Sequence, residues 1–321
     1  MKDSLGRTID YMRISITDRC DLRCKYCMPE GIKLLSMDDL LTYEEIETIC
    51  KIAAGLGISK IKITGGEPLV RRGVEHLVQT LKSIPGIEKV TMTSNGVTLA
   101  DHMEALKKSG LDAINISLDT LDPTEFAEIT GRDRLANVLA GVEAAVKSGI
   151  RVKINTVLRA QITEEMIVRL ANYARELGID LRFIEVMPIG FGKEQDGIYH
   201  EDVDRILVKH FGEGVDDPSV HGNGPAVYKI YDEGRLSVGF ISAMHGKFCS
   251  SCNRIRMSAI GGLKSCLCYK GQIDIREPLR AGDLEEVKKR LIETILDKPK
   301  EHCFETIDEI TEENQMSSIG G

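Results

Sequence analysis

YMRISITDRCDLRCKYCMPEG (residues 11–31) joins a β-branched run to a loop holding Cys20, Cys24 and Cys27 in a C-x3-C-x2-C spacing. Five more runs of the same kind follow: KIKIT (60–64), KVTMT (89–93), DAINISL (112–118), RVKINTVL (151–158) and DLRFIEVM (180–187). Amphipathic stretches such as TYEEIETICKIAAGLG and TEEMIVRLANYARELG separate them, most closing in Gly or Ser-Gly, the usual helix stop. Six strand–helix units in series predict an α/β fold with a parallel sheet and right-handed crossovers. Pattern alone leaves an open doubly wound sheet and a barrel as alternatives. After about residue 190 the rhythm breaks into IGFGKEQDGIYHEDVD and HGNGPAVYKIYDEGRLSVGFIS, which read as a switch to a smaller region.

The chain has 321 residues, 42% of them hydrophobic and 29% charged, an ordinary composition for a globular protein long enough to bury a substantial core. A net charge of -8 argues against a nucleic-acid-binding surface. The N-terminal segment lacks the apolar core of a signal peptide, and no apolar run is long enough to cross a bilayer, so a cytoplasmic location is expected. In that reducing compartment nine cysteines are not expected to form a disulfide framework, and clustered ones point to metal or redox chemistry.

Zinc structural sites fill four positions from paired knuckles, whereas the first loop offers three thiolates. The nearest downstream histidine, His76, falls on an amphipathic stretch and reads as a surface residue. Three thiolates on a four-iron cluster leave one iron open to chelate a substrate or cosubstrate. A second set, KFCSSCNRIRMSAIGGLKSCLC (247–268), places Cys249, Cys252 and Cys266 as C-x2-C-x13-C with Cys268 close behind. On spacing alone this fits either a second three-cysteine cluster or a zinc ribbon completed by Cys268. Cys50 reads as a packing residue and Cys303 as incidental.

Strand alternation puts Arg13, Ser15 and Thr17 on one face, Lys60, Lys62 and Thr64 on another, and Arg151, Lys153 and Asn155 on a third. Basic residues are costly inside an apolar core but suit a polar cavity that meets an anion. Arg254 and Arg256, two apart, project together beside the second cysteine set. Arg supplies a planar fork for phosphate oxygens and Lys a compact charge. Taken singly, each is equally readable as a solvated strand-end residue.

CDLRCKYC, together with TGGEP (64–68) after the second strand, resembles the signature of the radical S-adenosylmethionine (SAM) superfamily. The whole chain from residue 11 onward, with CNRIR and the terminal Gly-Gly, resembles the GTP 3′,8-cyclase family, the molybdenum cofactor biosynthesis A proteins. That resemblance implies an incomplete (β/α)6 TIM-type barrel over residues 1–230, with a C-terminal auxiliary-cluster and GTP-binding region, 231–321, covering its open side. It implies two [4Fe-4S] clusters, on Cys20, Cys24 and Cys27 and on Cys249, Cys252 and Cys266. It implies SAM as cosubstrate, held by Tyr26, Gly66, Ser117 and Met187; on physical grounds alone Tyr26 and Met187 are equally packing residues. GTP contacts carried over are Arg13, Lys62, Thr93, Lys153, Arg182, Arg254, Ile255 and Arg256, with Lys60 a further candidate. Gly320 and Gly321 are implied to reach into the active site and serve catalysis. The implied reaction is a lyase-type cyclisation. A 5′-deoxyadenosyl radical abstracts the ribose C3′ hydrogen of GTP, and the product is (8S)-3′,8-cyclo-7,8-dihydroguanosine 5′-triphosphate, the first intermediate of molybdenum cofactor biosynthesis. Implied partners are a low-potential electron donor, a second copy of the chain in a homodimer, and a downstream cyclic pyranopterin monophosphate synthase, with neither nucleic acid nor membrane. Two rivals stay open: a peptide-modifying radical SAM maturase, and a zinc-binding scaffold.

Overall fold

The computed structural model describes residues 1–194, 197–244, 248–306 and 309–312. All six β-branched runs form strands: β1 (Tyr11–Ser15), β2 (Lys60–Thr64), β3 (Lys89–Ser94), β4 (Ala113–Ser117), β5 (Arg151–Leu158) and β6 (Asp180–Glu185). They pair in parallel in chain order, β1-β2-β3-β4-β5-β6. A doubly wound sheet reverses strand order partway across, and this one does not; sequential order sends every crossover to one side and curls the sheet toward a barrel. The fold is accordingly a partial TIM-type barrel.

The crossovers are α1 (Tyr43–Gly55), α2 (Val74–Ser83), α3 (Leu99–Lys108), the pair α4 (Pro123–Thr130) and α5 (Leu135–Ser148), and α6 (Glu164–Leu177). Local chemistry sets their ends. Thr42 and Glu45 form a capping box at the start of α1, Asp122 caps α4 ahead of Pro123, and Gly131 closes α4 in the left-handed region. The helical rhythm runs past residue 190, since α7 (His200–Phe211) supplies a sixth unit within the stretch read as a break.

The remaining chain lengthens the sheet at both edges. β7 (Val215–Asp217), β8 (Val227–Tyr231) and β9 (Leu236–Ile241) form an antiparallel set, with β9 parallel to β6. β10 (Arg254–Met257) pairs in parallel with β1 and carries β11 (Gly262–Lys264) and β12 (Ile273–Asp274), backed by α8 (Arg276–Arg280) and α9 (Leu284–Leu296). Residues 230 and 231 therefore both lie within β8.

Alternation sorts the strands into two faces. Met12, Ile14, Ile61, Ile63, Met92, Ile114 and Ile154 are fully buried in one apolar core under the helices. Each such side chain contributes about 1.5–3 kcal/mol on burial. Cys50 belongs to that core, as its helical position suggested, and His76 is exposed. The alternate residues face inward and are polar, and they make the site. Among the described residues no helix is long and apolar enough to cross a membrane.

Candidate active site

The first cysteine loop leaves the C-terminal end of β1 and is held by backbone. Arg23 and Lys25 N–H groups donate to the carbonyls of Thr130 (2.7 Å) and Ile129 (3.0 Å), and the Cys27 and Met28 N–H groups both donate to the Cys24 carbonyl (3.0 and 2.9 Å). Leu22 N–H and Asn95 Nδ2 donate toward Cys20 Sγ at 3.4 and 3.6 Å, contacts that suit a thiolate. Burial pushes the Cys20 thiol up to about 12 and Cys27 to about 11; burial, then the neighbouring Cys27 and Asp119, raise Cys24 as well. Buried thiols of this kind give up their protons only to a cation, which fits a metal-cluster cradle.

TGGEP closes against that loop. Gly66 and Glu67 N–H groups donate to the Thr17 and Arg19 carbonyls, each at 2.7 Å. A Cβ on Gly65 would sit 2.6 Å from the Thr17 carbonyl oxygen, and one on Gly66 would overlap the Arg19 carbonyl, so neither position admits a side chain. Glu67 is buried and accepts from the Leu69 and Asn95 N–H groups (3.0 and 2.6 Å) and the Ser94 hydroxyl (2.9 Å). Its burial lifts the carboxyl to about 7. Tyr26 donates its hydroxyl to Asp119 (2.8 Å), while Ser117 ends β4 and Met187 follows β6. Tyr26, Gly66, Ser117 and Met187 thus come from the strand ends at the barrel's C-terminal rim, where this fold class places its ligands.

Inside the barrel lies a cavity of about 440 Å³. Its floor follows from strand register. Arg256, Arg13, Lys62 and Thr91 stand abreast on β10, β1, β2 and β3; Thr93, Asn115, Lys153 and Asp180 on β3 to β6; and Asn155 beside Arg182. Arg254, abreast of Tyr11, adds a guanidinium 5.2 Å from the Phe248 ring centroid. Among the described residues, eight Lys and Arg line the cavity against one carboxylate, Asp112. Burial, then the charges of Arg182, Arg13 and Lys153, press the Lys62 pKa well down, and burial with Arg13 and Arg254 lowers Arg256. Arg13 Nε, Arg182 Nη2 and Arg254 Nε are buried with no hydrogen-bond partner. Donors buried without acceptors cost free energy, and an anion in the cavity would satisfy them.

Lys60 is absent from this lining; it pairs with Asp10 at 2.6 Å. Ile255 alternates to the outer face and is buried in the apolar core, so only its backbone is available to a ligand. Gly320 and Gly321 lie outside the described residues.

The second cysteine set brackets β10 and β11, with Cys249 and Cys252 just before and Cys266 just after. Lys298, overlooked in the sequence, donates to the Arg254 (2.9 Å) and Ser265 (2.7 Å) carbonyls and approaches Cys252 Sγ at 3.6 Å. Against burial, which raises it, the charges of Lys298 and Arg254 lower the Cys252 thiol. Cys268 is disulfide-bonded to Cys303, with Cα atoms 6.4 Å apart. This corrects two expectations: Cys303 is not incidental, and Cys268, the ligand a zinc ribbon would need, is engaged by Cys303 in a small apolar cluster with Leu267 and Phe304. Among the described residues no three His, Cys, Asp or Glu side chains converge on a single-ion site.

Sequence reasoning also missed Asn115, Tyr228, His221 and Asp180. Asn115 and Asp180 carried a signal in their strand positions; His221 and Tyr228 lay in a Gly-rich stretch with no period.

Residues 14–174 match the model of the radical SAM superfamily, and residues 179–304 match that of Molybdenum Cofactor Synthesis C. The chain is 41% identical over 323 residues to the GTP 3′,8-cyclase of Clostridium perfringens and 43% identical over 327 residues to that of Moorella thermoacetica, each covering 100% of both sequences. Streptococcus suis SuiB bound to the precursor peptide SuiA superposes with a TM-score of 0.68 at 16% identity, over 92% of this chain and 66% of that one. Native anSMEcpe with bound AdoMet gives 0.58 at 14% identity, over 93% and 94%. At those identities the two structures share the fold alone. The full-length relatives go further, and with two cysteine trios flanking a cationic barrel interior the chain belongs to the GTP 3′,8-cyclase family of radical SAM enzymes.

Proposed function

We propose that the protein converts GTP into (8S)-3′,8-cyclo-7,8-dihydroguanosine 5′-triphosphate, the opening step of molybdenum cofactor biosynthesis. The observation that carries this reading is the cavity floor, a cationic surface whose buried guanidinium N–H groups lack acceptors. A triphosphate supplies the missing acceptors and the balancing charge.

Cys20, Cys24 and Cys27 would hold a [4Fe-4S] cluster that, with SAM bound and an electron supplied, would provide the radical chemistry needed at the ribose C3′ position. Cys249, Cys252 and Cys266 would hold a second cluster beside the base. Lys62, Lys153 and Arg182 bind phosphate oxygens, and Arg13, Arg254 and Arg256 hold the side nearer the second trio. Thr93 and Asn155 add uncharged hydrogen-bonding groups. The enclosure keeps water from a carbon radical, and rigid strands fix the ribose; positioning of this kind is the protein's share of such chemistry. We infer that residues 1–230 supply the barrel and 231–321 the auxiliary-cluster region, that an external low-potential donor delivers the electron, and that the chain acts as a homodimer.

Anaerobic reconstitution with iron and sulfide, followed by incubation with SAM, GTP and dithionite, tests the reading. Stoichiometric 5′-deoxyadenosine and cyclised nucleotide support it. Turnover of a peptide with none of GTP, or zinc without labile sulfide at both trios, defeats it.

A further inference from the structure

On the β5–β6 side of the cavity, where His221 is part of the lining, lies a network that no cysteine or arginine motif accounts for. Asp180 accepts from the Lys153 ammonium, from the Ser237 hydroxyl at 2.8 Å and from His221 Nδ1 at 3.0 Å, with Arg151 at 3.5 Å. The other ring nitrogen, His221 Nε2, faces Asp217 Oδ2 at 2.7 Å and Ser219 Oγ at 3.0 Å. The imidazole lies flat on Tyr228, with centroids 3.8 Å apart and planes 11° from parallel. Tyr228 is 5% exposed; its ring centroid is 5.5 Å from Lys153 Nζ, and it lies beside the Arg182 stem, both within 3.0 Å of where a Cβ on Gly239 would sit. The loop backbone at Gly222 closes over the Lys153 stem, where an added Cβ would meet Cε at 3.5 Å.

We propose that His221 is a positioning residue for the substrate's triphosphate, acting on Lys153 through Asp180, with the Tyr228 ring holding the imidazole flat. The inference rests on the GTP reading above. Three cations, Arg151, Lys153 and Arg182, crowd this side, and Lys153 needs Asp180 to hold its charge against burial. A carboxylate there also repels a phosphate. His221 and Ser237 both donate to Asp180 Oδ1, which fixes the carboxylate so that its Oδ2 meets Lys153 through a single N–H. An ammonium has three N–H donors, and those left over can turn to the ligand. An apolar core has no use for an imidazole set between two carboxylates, whereas fixing an ammonium at a cavity wall does.

The test is a double-mutant cycle on the reconstituted holoprotein, reading the Kd of GTP by anaerobic calorimetry without reductant and KM and kcat with dithionite. His221→Leu is expected to raise Kd and KM about tenfold while kcat stays within about threefold; Lys153→Met does the same. In the Lys153→Met background, His221→Leu adds nothing further. Additive losses, or a fall in kcat at unchanged KM, overturn the proposal. Should His221→Leu fail to fold, Asp217→Asn removes only the outer carboxylate and is expected to weaken GTP severalfold, again with no effect once Lys153 is gone; wild-type affinity in Asp217→Asn overturns the proposal. Wild-type protein that cleaves SAM yet binds no GTP overturns the functional reading as well, whereas GTP binding unchanged by His221→Leu overturns this inference alone.

Discussion

Replacing Lys62 with Met should make the protein more stable and worse at its task. Lys62 is 8% exposed, stands in register between Arg13 and Thr91, and has no ion-pair partner among the described residues. Its ammonium faces the charges of Arg182, Arg13, Lys153 and Arg254, which with burial push its pKa well below the ordinary lysine value. Burying an ion costs several kcal/mol, and methionine fills a similar volume without that penalty. A net gain of about 2 kcal/mol is expected, a few degrees in Tm for a chain of this size. A depressed lysine binds fewer protons folded than unfolded, so its contribution to stability grows as pH rises from its folded toward its unfolded pKa. Lys62→Met should flatten that part of the stability–pH curve. Binding moves the other way. A charged hydrogen bond to phosphate contributes about 1.5–3 kcal/mol, so Kd for GTP should rise roughly 10- to 150-fold. Thermal scanning of the reconstituted protein from pH 6 to 10 and anaerobic calorimetry with GTP supply both numbers. A Lys62→Met protein that melts earlier and binds GTP as well as the wild type refutes the reasoning.

Three further outcomes follow from the same geometry. Burial holds the Lys153 ammonium down to about 8 despite its bond to Asp180; a bound phosphate keeps it charged, so GTP affinity should fall above pH 8, by at most about tenfold per pH unit, with proton uptake visible in buffers of different ionisation enthalpy. Gly66→Ala would drive a methyl into the Arg19 carbonyl; the first cysteine loop should lose its cluster, cutting iron per chain by about half and abolishing SAM binding, and full iron content would contradict this. Cys268→Ala should leave iron content and visible spectra unchanged, since that sulfur is engaged by Cys303; lost iron would make Cys268 a ligand.

The strands, most of the crossover helices, both cysteine trios and the basic residues of the floor were legible in the sequence because each is a local pattern. A period of two exposes Arg13, Lys62 and Lys153 as inward-facing once their strands are recognised, and C-x3-C-x2-C is contiguous. The barrel itself was not legible from pattern, because strand order is a choice among pairings that one sequence pattern permits equally; only the β1-to-β6 succession and the docking of β9 and β10 on its edges decide it. Tertiary structure alone also set which basic residues are available, pairing Lys60 with Asp10 while leaving Lys62 without an ion-pair partner among the described residues. The contacts of Lys298 with Cys252, Cys268 with Cys303, and His221 with Asp180 span 46, 35 and 41 positions. No local periodicity encodes contacts of that reach, because they form only when separate elements pack and bring buried polar groups within hydrogen-bonding distance of one another.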